Sequence, residues 1–221
     1  MEPEILFQDD SLIAVNKPSG MIVYPDGKHD YPALDAWLQK KFGAIYFPHR
    51  LDRETSGVMV VVRTEAALEH LKAQFGSREV QKTYRAFIYG NLKEERGVID
   101  KPIGSARGGA GPRSARTPYG RLREAQTAFK TLSHTLAASY VELFPKTGRT
   151  HQLRVHLAAI QHPVVCDPLY APSRPPILGF NRLALHALAL SIKHPVSEKP
   201  MRFEAPLPPD FVAAEAELRA A

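Results

Sequence analysis

Cysteine is almost missing from this chain of 221 residues, with Cys166 its only thiol. One thiol excludes an internal disulfide and fits a reducing compartment. Long apolar runs are missing too. The Val58–Val62 stretch has five residues, against the roughly 20 that a membrane-spanning helix needs. The opening Met-Glu-Pro-Glu has neither a basic nor an apolar signal region, so no secretory leader is visible and a cytoplasmic protein without a membrane role is expected. No H-E-x-x-H or C-x-x-C metal pattern occurs, and His151 and His156 stand five apart, a poor spacing for a zinc pair on one helix face. A G-x-S-x-G elbow, a Walker A loop and a dinucleotide fingerprint are likewise absent, which removes the commonest hydrolase and nucleotide-binding readings. No metal and no cofactor are expected.

What is present is ordinary in bulk and specific in detail. Hydrophobic residues make up 44% and charged residues 24%, and the length suits one sizeable core, so residues 1–221 are expected to form a single domain and a monomer. Lys and Arg outnumber Asp and Glu by 29 to 23, a moderate basicity compatible with a polyanion partner. The segment from Gly104 to Pro118 holds Arg107, Arg113 and Arg116 and no acidic residue, with Arg121 and Arg123 just beyond. Its glycines and prolines argue against a helix or a central strand, so it reads as a loop: a mobile solvated one, or an arm that follows phosphates.

Periodicity supplies a coarse fold. Ile5–Gln8 and Leu12–Asn16 flank a turn-like Asp-Asp-Ser and predict a hairpin. Ala33–Phe42 predicts a short helix with Leu34, Trp37 and Leu38 on one face, ended by Gly43. After a Val58–Arg63 strand, Thr64 can cap a helix running to Phe75, with Leu68, Leu71 and Phe75 as its core stripe. Lys82–Tyr89 predicts a strand with Tyr84, Ala86 and Ile88 on one face. Ala125–Leu132 and Ser139–Phe144 predict an antiparallel pair, Thr150–Ile160 a helix, Leu183–Ile192 a strand and Pro209–Arg219 a terminal helix. Strands outnumber helices without alternating with them, which favours a mixed, largely antiparallel α+β domain.

One run stands out: His49-Arg50-Leu51-Asp52-Arg53-Glu54-Thr55-Ser56-Gly57. It sets a carboxylate between two arginines in a polar turn that feeds a buried strand, a good place to hold a reactive group against a substrate. The run resembles the catalytic motif of the RluA-type pseudouridine synthases. Further blocks occur in that family's order: an opening Ile5-Leu6-Phe7-Gln8-Asp9-Asp10 followed by Val15-Asn16-Lys17-Pro18-Ser19-Gly20-Met21, then Lys82-Thr83-Tyr84-Arg85-Ala86, and Lys146-Thr147-Gly148-Arg149-Thr150-His151-Gln152-Leu153-Arg154-Val155-His156-Leu157. His162-Pro163, Asp167 with Tyr170, Leu185-His186-Ala187 and His194-Pro195 follow. The resemblance implies the pseudouridine synthase fold, a bent, mixed, mostly antiparallel sheet with flanking helices and a central cleft. It also implies an RNA isomerase acting on uridines of structured RNA, in large-subunit rRNA, tRNA stem-loops or both. The first block begins near residue 5, which leaves no room for the S4-type RNA-binding module many relatives carry; a stand-alone catalytic domain is expected.

The implied chemistry breaks the uridine N1–C1′ bond, turns the freed uracil and joins C5 to C1′, with no redox change. One ionised carboxylate can start it, by deprotonating C2′ or by attacking C1′ or C6. By resemblance that carboxylate is Asp52, Arg149 pairs with it, Tyr84 stacks on the base and Leu153 packs on the base's other side. Arg50 matches an arginine that enters the RNA stack in place of a flipped nucleotide; its alternative is a salt bridge to Asp52 or Glu54. Lys17 is read as structural, Arg154 as a phosphate or structural contact, and His49 with Thr55-Ser56-Gly57 as shaping the loop. Arg107, Arg113 and Arg116 are read as RNA contacts. The competing possibility, a noncatalytic RNA-binding module on the same fold, would be favoured by loss of Asp52 or Arg149; both are present.

Overall fold

The computed structural model of the chain describes residues 2–25, 27, 29–105, 113–116 and 118–220. In chain order the elements are β1 (Glu4–Gln8), β2 (Leu12–Lys17), α1 (Leu34–Phe42), β3 (Ser56–Val62), α2 (Glu65–Gly76), β4 (Gln81–Tyr89), β5 (Arg96–Asp100) and β6 (Ile103–Ser105). They continue with β7 (Arg113–Ser114), β8 (Tyr119–Arg123), β9 (Gln126–His134), β10 (Ala138–Pro145), α3 (Gln152–Ala159), β11 (Leu185–Lys193), β12 (Pro200–Glu204) and α4 (Pro209–Ala220). The result is mixed α+β with mostly antiparallel strands. The chain divides into two compact units, Met1–Lys82 with His186–Pro206, and Thr83–Leu185 with Leu207–Ala221.

In the first unit the β1–β2 turn is closed by Asp9, whose carboxylate accepts from the Ser11 and Leu12 amides at 2.9 and 2.8 Å. β2 runs antiparallel to β3, from Leu12 opposite Val62 to Lys17 opposite Gly57. β3 pairs in parallel with β11 at Ser56–His186 and Gly57–Ala187, and β12 closes antiparallel on β11. All seven residues of β3 are buried, which is why it reads as an unbroken apolar run and not as alternation. Thr64 caps α2 by accepting from the Ala67 amide.

The buried stripe of α2 differs from the expected one. It is Ala67, Leu71 and Gln74, with Leu68 and Phe75 only half-buried. Gln74 is held there by its amide, which donates to the Lys193 carbonyl and accepts the Lys193 N–H, both at 2.8 Å. A glutamine that satisfies a strand end on both sides is buried at little cost; a pattern read from apolar residues alone overlooks it.

In the second unit β4 pairs with β10, β10 with β9 and β9 with β5, all antiparallel. β5 has no counterpart among the expected strands, because its Arg-Gly-Val-Ile-Asp sequence carries little apolar signal. At the C-terminal end of β4 residues of both faces are buried, from Ala86 to Tyr89. There the sheet is covered on both faces, and Phe87 stacks on Tyr140 at 4.3 Å and meets Phe180 and Phe211. Leu153 and Leu157 of α3 and Phe211, Ala214 and Leu218 of α4 join this core.

The Gly104–Pro118 segment corrects the loop reading in its described part. β7, β6 and β8 form a small antiparallel sheet with β6 at its centre. A Cβ at Gly104 would come within 2.7 Å of the Tyr119 carbonyl oxygen and 3.1 Å of Pro118 Cβ. Glycine here admits a close backbone approach and does not break the strand. Ile103 and Ala115 anchor the sheet on a second small core with Ala125 and Val155.

Candidate active site

In the first unit the turn that carries Asp52 is held by backbone and lysine hydrogen bonds. Lys17 is fully buried, and its Nζ donates to the carbonyls of Pro18, Met21 and Arg53 at 2.9, 2.8 and 3.1 Å. The Gly20 amide adds a second donor to the Arg53 carbonyl, and Ser19 Oγ donates to the Glu54 carbonyl at 2.6 Å. The first motif of the chain thus clamps the two peptides that follow Asp52, and the Thr55 amide closes the turn onto the Asp52 carbonyl. These bonds agree with the structural reading of Lys17.

Just before the turn, His49 Nε2 accepts the Val60 N–H at 3.0 Å while its ring stacks on Phe75. Burial, with the Lys82 charge added, holds the imidazole down to about 3, so the ring is neutral and keeps the lone pair that this hydrogen bond uses. Burial also brings the Lys82 ammonium down to about 8. The sequence places Lys82 in a block of the resemblance but gives no warning of its partial burial, since a lysine at the start of a strand ordinarily reads as solvated. Gly57 lies at φ +116°, and a Cβ there would overlap the Ala187 backbone, so only glycine allows β3 and β11 to meet at this register. Ser56 Oγ lies 2.9 Å from His186 Nδ1, and His186 Nε2 faces the Ala205 carbonyl. Since a carbonyl only accepts, Nε2 carries the proton and Ser56 donates to Nδ1.

Arg50 is exposed. The ion pair with Glu54 is made by Arg53 instead, through Nε at 3.0 Å and a terminal nitrogen at 2.7 Å, and the Arg53 guanidinium also lies 4.3 Å over the Tyr31 ring.

The second unit contains the other site candidates. Tyr84 is half-buried on β4 opposite Leu143 and packs against the main core, which Leu153 enters from α3. Arg149 lies in the turn before α3. Its amide donates to Gln152 Oε1 at 3.1 Å and its Nε donates to the Glu124 carbonyl at 3.0 Å. Of the two roles open to Arg154, a phosphate contact or a structural one, the geometry selects the structural. The residue is 1% exposed, and its guanidinium meets both oxygens of Asp167 at 2.7 Å. Arg113 and Arg116 are exposed on and beside the small sheet, while Arg107 lies outside the described residues. Tyr84 and Leu153 are therefore brought to one core and Arg149 to the start of the helix that carries Leu153, whereas Asp52 and Arg50 belong to the first unit.

Residues 11–159 match the family model described as RNA pseudouridylate synthase. The chain belongs to that family. It is 36% identical over 225 residues to "Ribosomal large subunit pseudouridine synthase D" of Zymomonas mobilis, covering 94% of this chain and 70% of that protein. It is 38% identical over 202 residues to "Dual-specificity RNA pseudouridine synthase RluA" of Yersinia pestis, covering 90% of this chain and 97% of the relative. Among solved structures, "Human RNA Pseudouridylate Synthase Domain Containing 4" aligns with a TM-score of 0.78 at 30% identity, over 97% of this chain and 92% of that one. The RNA pseudouridylate synthase assignment makes this chain an isomerase acting on RNA, built on the pseudouridine synthase fold. Among the described residues no helix is long and apolar enough to cross a membrane.

Proposed function

We propose that this chain isomerises specific uridines in structured RNA, stem-loops of large-subunit rRNA, tRNA or both, as a cytoplasmic monomer with Asp52 as the catalytic carboxylate. The observation that carries this reading is the clamp on the Asp52 turn, where buried Lys17, Gly20 and Ser19 fix the peptides after the aspartate through backbone groups. A carboxylate presented from a turn whose main chain is fixed can meet a reacting carbon in one geometry. Deprotonation at C2′ and attack at C1′ or C6 both start from this carboxylate. The target nucleotide is flipped out of its stack, Tyr84 supplies a platform for the uracil while it turns, Leu153 closes its other side, and Arg50 fills the gap in the RNA.

Arg149 is the partner that keeps Asp52 charged. Arg149→Met is expected to lower kcat by about 100-fold, the scale of removing one fixed charge from a desolvated site, with RNA affinity nearly unchanged. Tritium release from RNA carrying 5-tritiated uridine reports turnover, and a wild-type rate would remove Arg149 from the site. Pseudouridine mapping of total RNA with and without the gene identifies the modified positions.

Arg113 and Arg116, on and beside the small sheet, hold the RNA flanks together with Arg107. Replacing Arg107, Arg113 and Arg116 together by Gln should weaken binding at low salt. For every one of these arginines that binds a phosphate, its removal should flatten the salt dependence by about 0.7 to 0.9 log units per log unit of salt. The rate at saturating RNA should hold, because these residues position the substrate and do not touch the reacting base. A wild-type salt slope in the triple variant would count against the RNA role.

A further inference from the structure

The turn carrying Arg149 is tied to a chain of buried polar side chains that the chemistry above does not use. Gln152 is 4% exposed at the start of α3. Its Oε1 receives the Arg149 N–H at 3.1 Å and the Thr147 hydroxyl at 2.6 Å. Its Nε2 donates to the Gln126 carbonyl and to Thr127 Oγ1, both at 3.0 Å. Thr147 Oγ1 in turn accepts the Gln126 N–H at 3.2 Å. Thr127 Oγ1 lies 2.9 Å from His156 Nδ1, and His156 Nε2 lies 3.0 Å from the Lys101 carbonyl.

Backbone groups of fixed polarity determine every proton in this chain. The Arg149 N–H can only donate and the Gln126 carbonyl can only accept, so the Gln152 amide has one orientation. The Lys101 carbonyl requires a proton on His156 Nε2, so Nδ1 accepts from Thr127, whose oxygen is left to accept from Gln152. Burial lowers the pKa of His156 and keeps it in this neutral form. Each donor and acceptor is used, and such a fully satisfied buried network favours one geometry over its alternatives.

We propose that Gln152 is a positioning residue for the isomerisation: anchored on β9 through Gln126 and Thr127, it fixes the Thr147–Arg149 turn and thereby the direction of the Arg149 guanidinium. This rests on the reading of Arg149 as the partner of Asp52. The sequence carries a hint, since Gln152 sits three residues after Arg149 in one motif, but a polar residue at a helix start ordinarily reads as solvated.

The test uses the full chain and five variants: the single changes Thr147→Val, Thr147→Ser, Gln152→Met and Arg149→Met, and the Gln152→Met/Arg149→Met double. Thr147→Val keeps the shape of the side chain and removes its donor. It should lower kcat by about tenfold, a modest fraction of what misplacing a catalytic group by an ångström can cost, with KM for RNA within about twofold of wild type. Thr147→Ser should restore kcat to within about twofold, because the hydroxyl returns. Gln152→Met should lower kcat by about 10- to 100-fold in the parent background and by less than about threefold beside Arg149→Met, since a residue acting through Arg149 has nothing left to position.

A wild-type rate for Thr147→Val, or a Ser variant as slow as the Val variant, overturns the proposal even if Gln152→Met does not fold. Equal losses from Gln152→Met with and without Arg149 overturn it as well, and assign Gln152 to folding alone. Arg149→Met at the wild-type rate is a different failure: it removes the reading of Arg149 itself, and the positioning proposal falls with it.

Discussion

Asp52→Asn is expected to reduce isomerisation by at least about 1,000-fold, the scale of losing a general base or a nucleophile, while fold and RNA affinity stay near wild type. The amide has nearly the volume of the carboxylate and no anion with which to deprotonate C2′ or attack C1′ or C6. The turn should survive the exchange, because its main chain is held through the carbonyls of residues 52–54. The Thr55 amide bonds the Asp52 carbonyl, Lys17 and Gly20 bond the Arg53 carbonyl, and Ser19 bonds the Glu54 carbonyl. Tritium release under single-turnover conditions measures the loss, and gel-shift affinity with circular dichroism checks the remainder. Activity within about tenfold of wild type would be too small a loss for the reacting group and would transfer the role to another carboxylate.

Much of this arrangement is legible in the sequence where the signal is local. The Asp9-Asp10-Ser11 turn, the Thr64 cap and the Gly43 stop each rest on chemistry within a few residues, and β1–β2, α1 and α2 fall within a residue or two of where they are expected. The motif around Asp52 is legible because its residue types are specific. Long-range pairing is not. β5 is a strand because β9 lies beside it, and β6 to β8 pair across a glycine-rich segment whose composition alone denies them. The division into two units has no counterpart in composition either, since no Pro/Gly/Ser linker marks the divide.

Buried polar residues are the least legible of all. Gln74, Gln152, His156 and Arg154 are each buried because a particular partner far along the chain satisfies them, Lys193, Thr127, Lys101 and Asp167 respectively. Periodicity counts apolar residues and is blind to such partners. Arg154 shows the consequence: an arginine in a motif of an RNA enzyme invites a phosphate contact, yet its guanidinium is engaged by an internal carboxylate.

That assignment has a large and separable consequence. Asp167→Asn is expected to destabilise the protein by about 3–5 kcal/mol, because it leaves a buried guanidinium without its counter-charge. The carboxylate serves more than Arg154: Oδ1 also accepts the Leu169 and Tyr170 amides at 2.9 and 3.0 Å. The Arg154 guanidinium in turn lies 5.3 Å from the Tyr170 ring centroid, so disorder at one member reaches the loop after it. Arg154→Met should cost a similar amount for the converse reason, a buried carboxylate losing its cation. The double variant Arg154→Met/Asp167→Asn should be less destabilised than the two single losses added together, since no unpaired buried charge remains. Urea unfolding followed by circular dichroism measures all three. A phosphate-contact role for Arg154 makes the opposite forecast, weakened RNA binding with stability kept. A loss below about 1 kcal/mol in both single variants, within the range of an exposed ion pair, would therefore return Arg154 to the RNA surface.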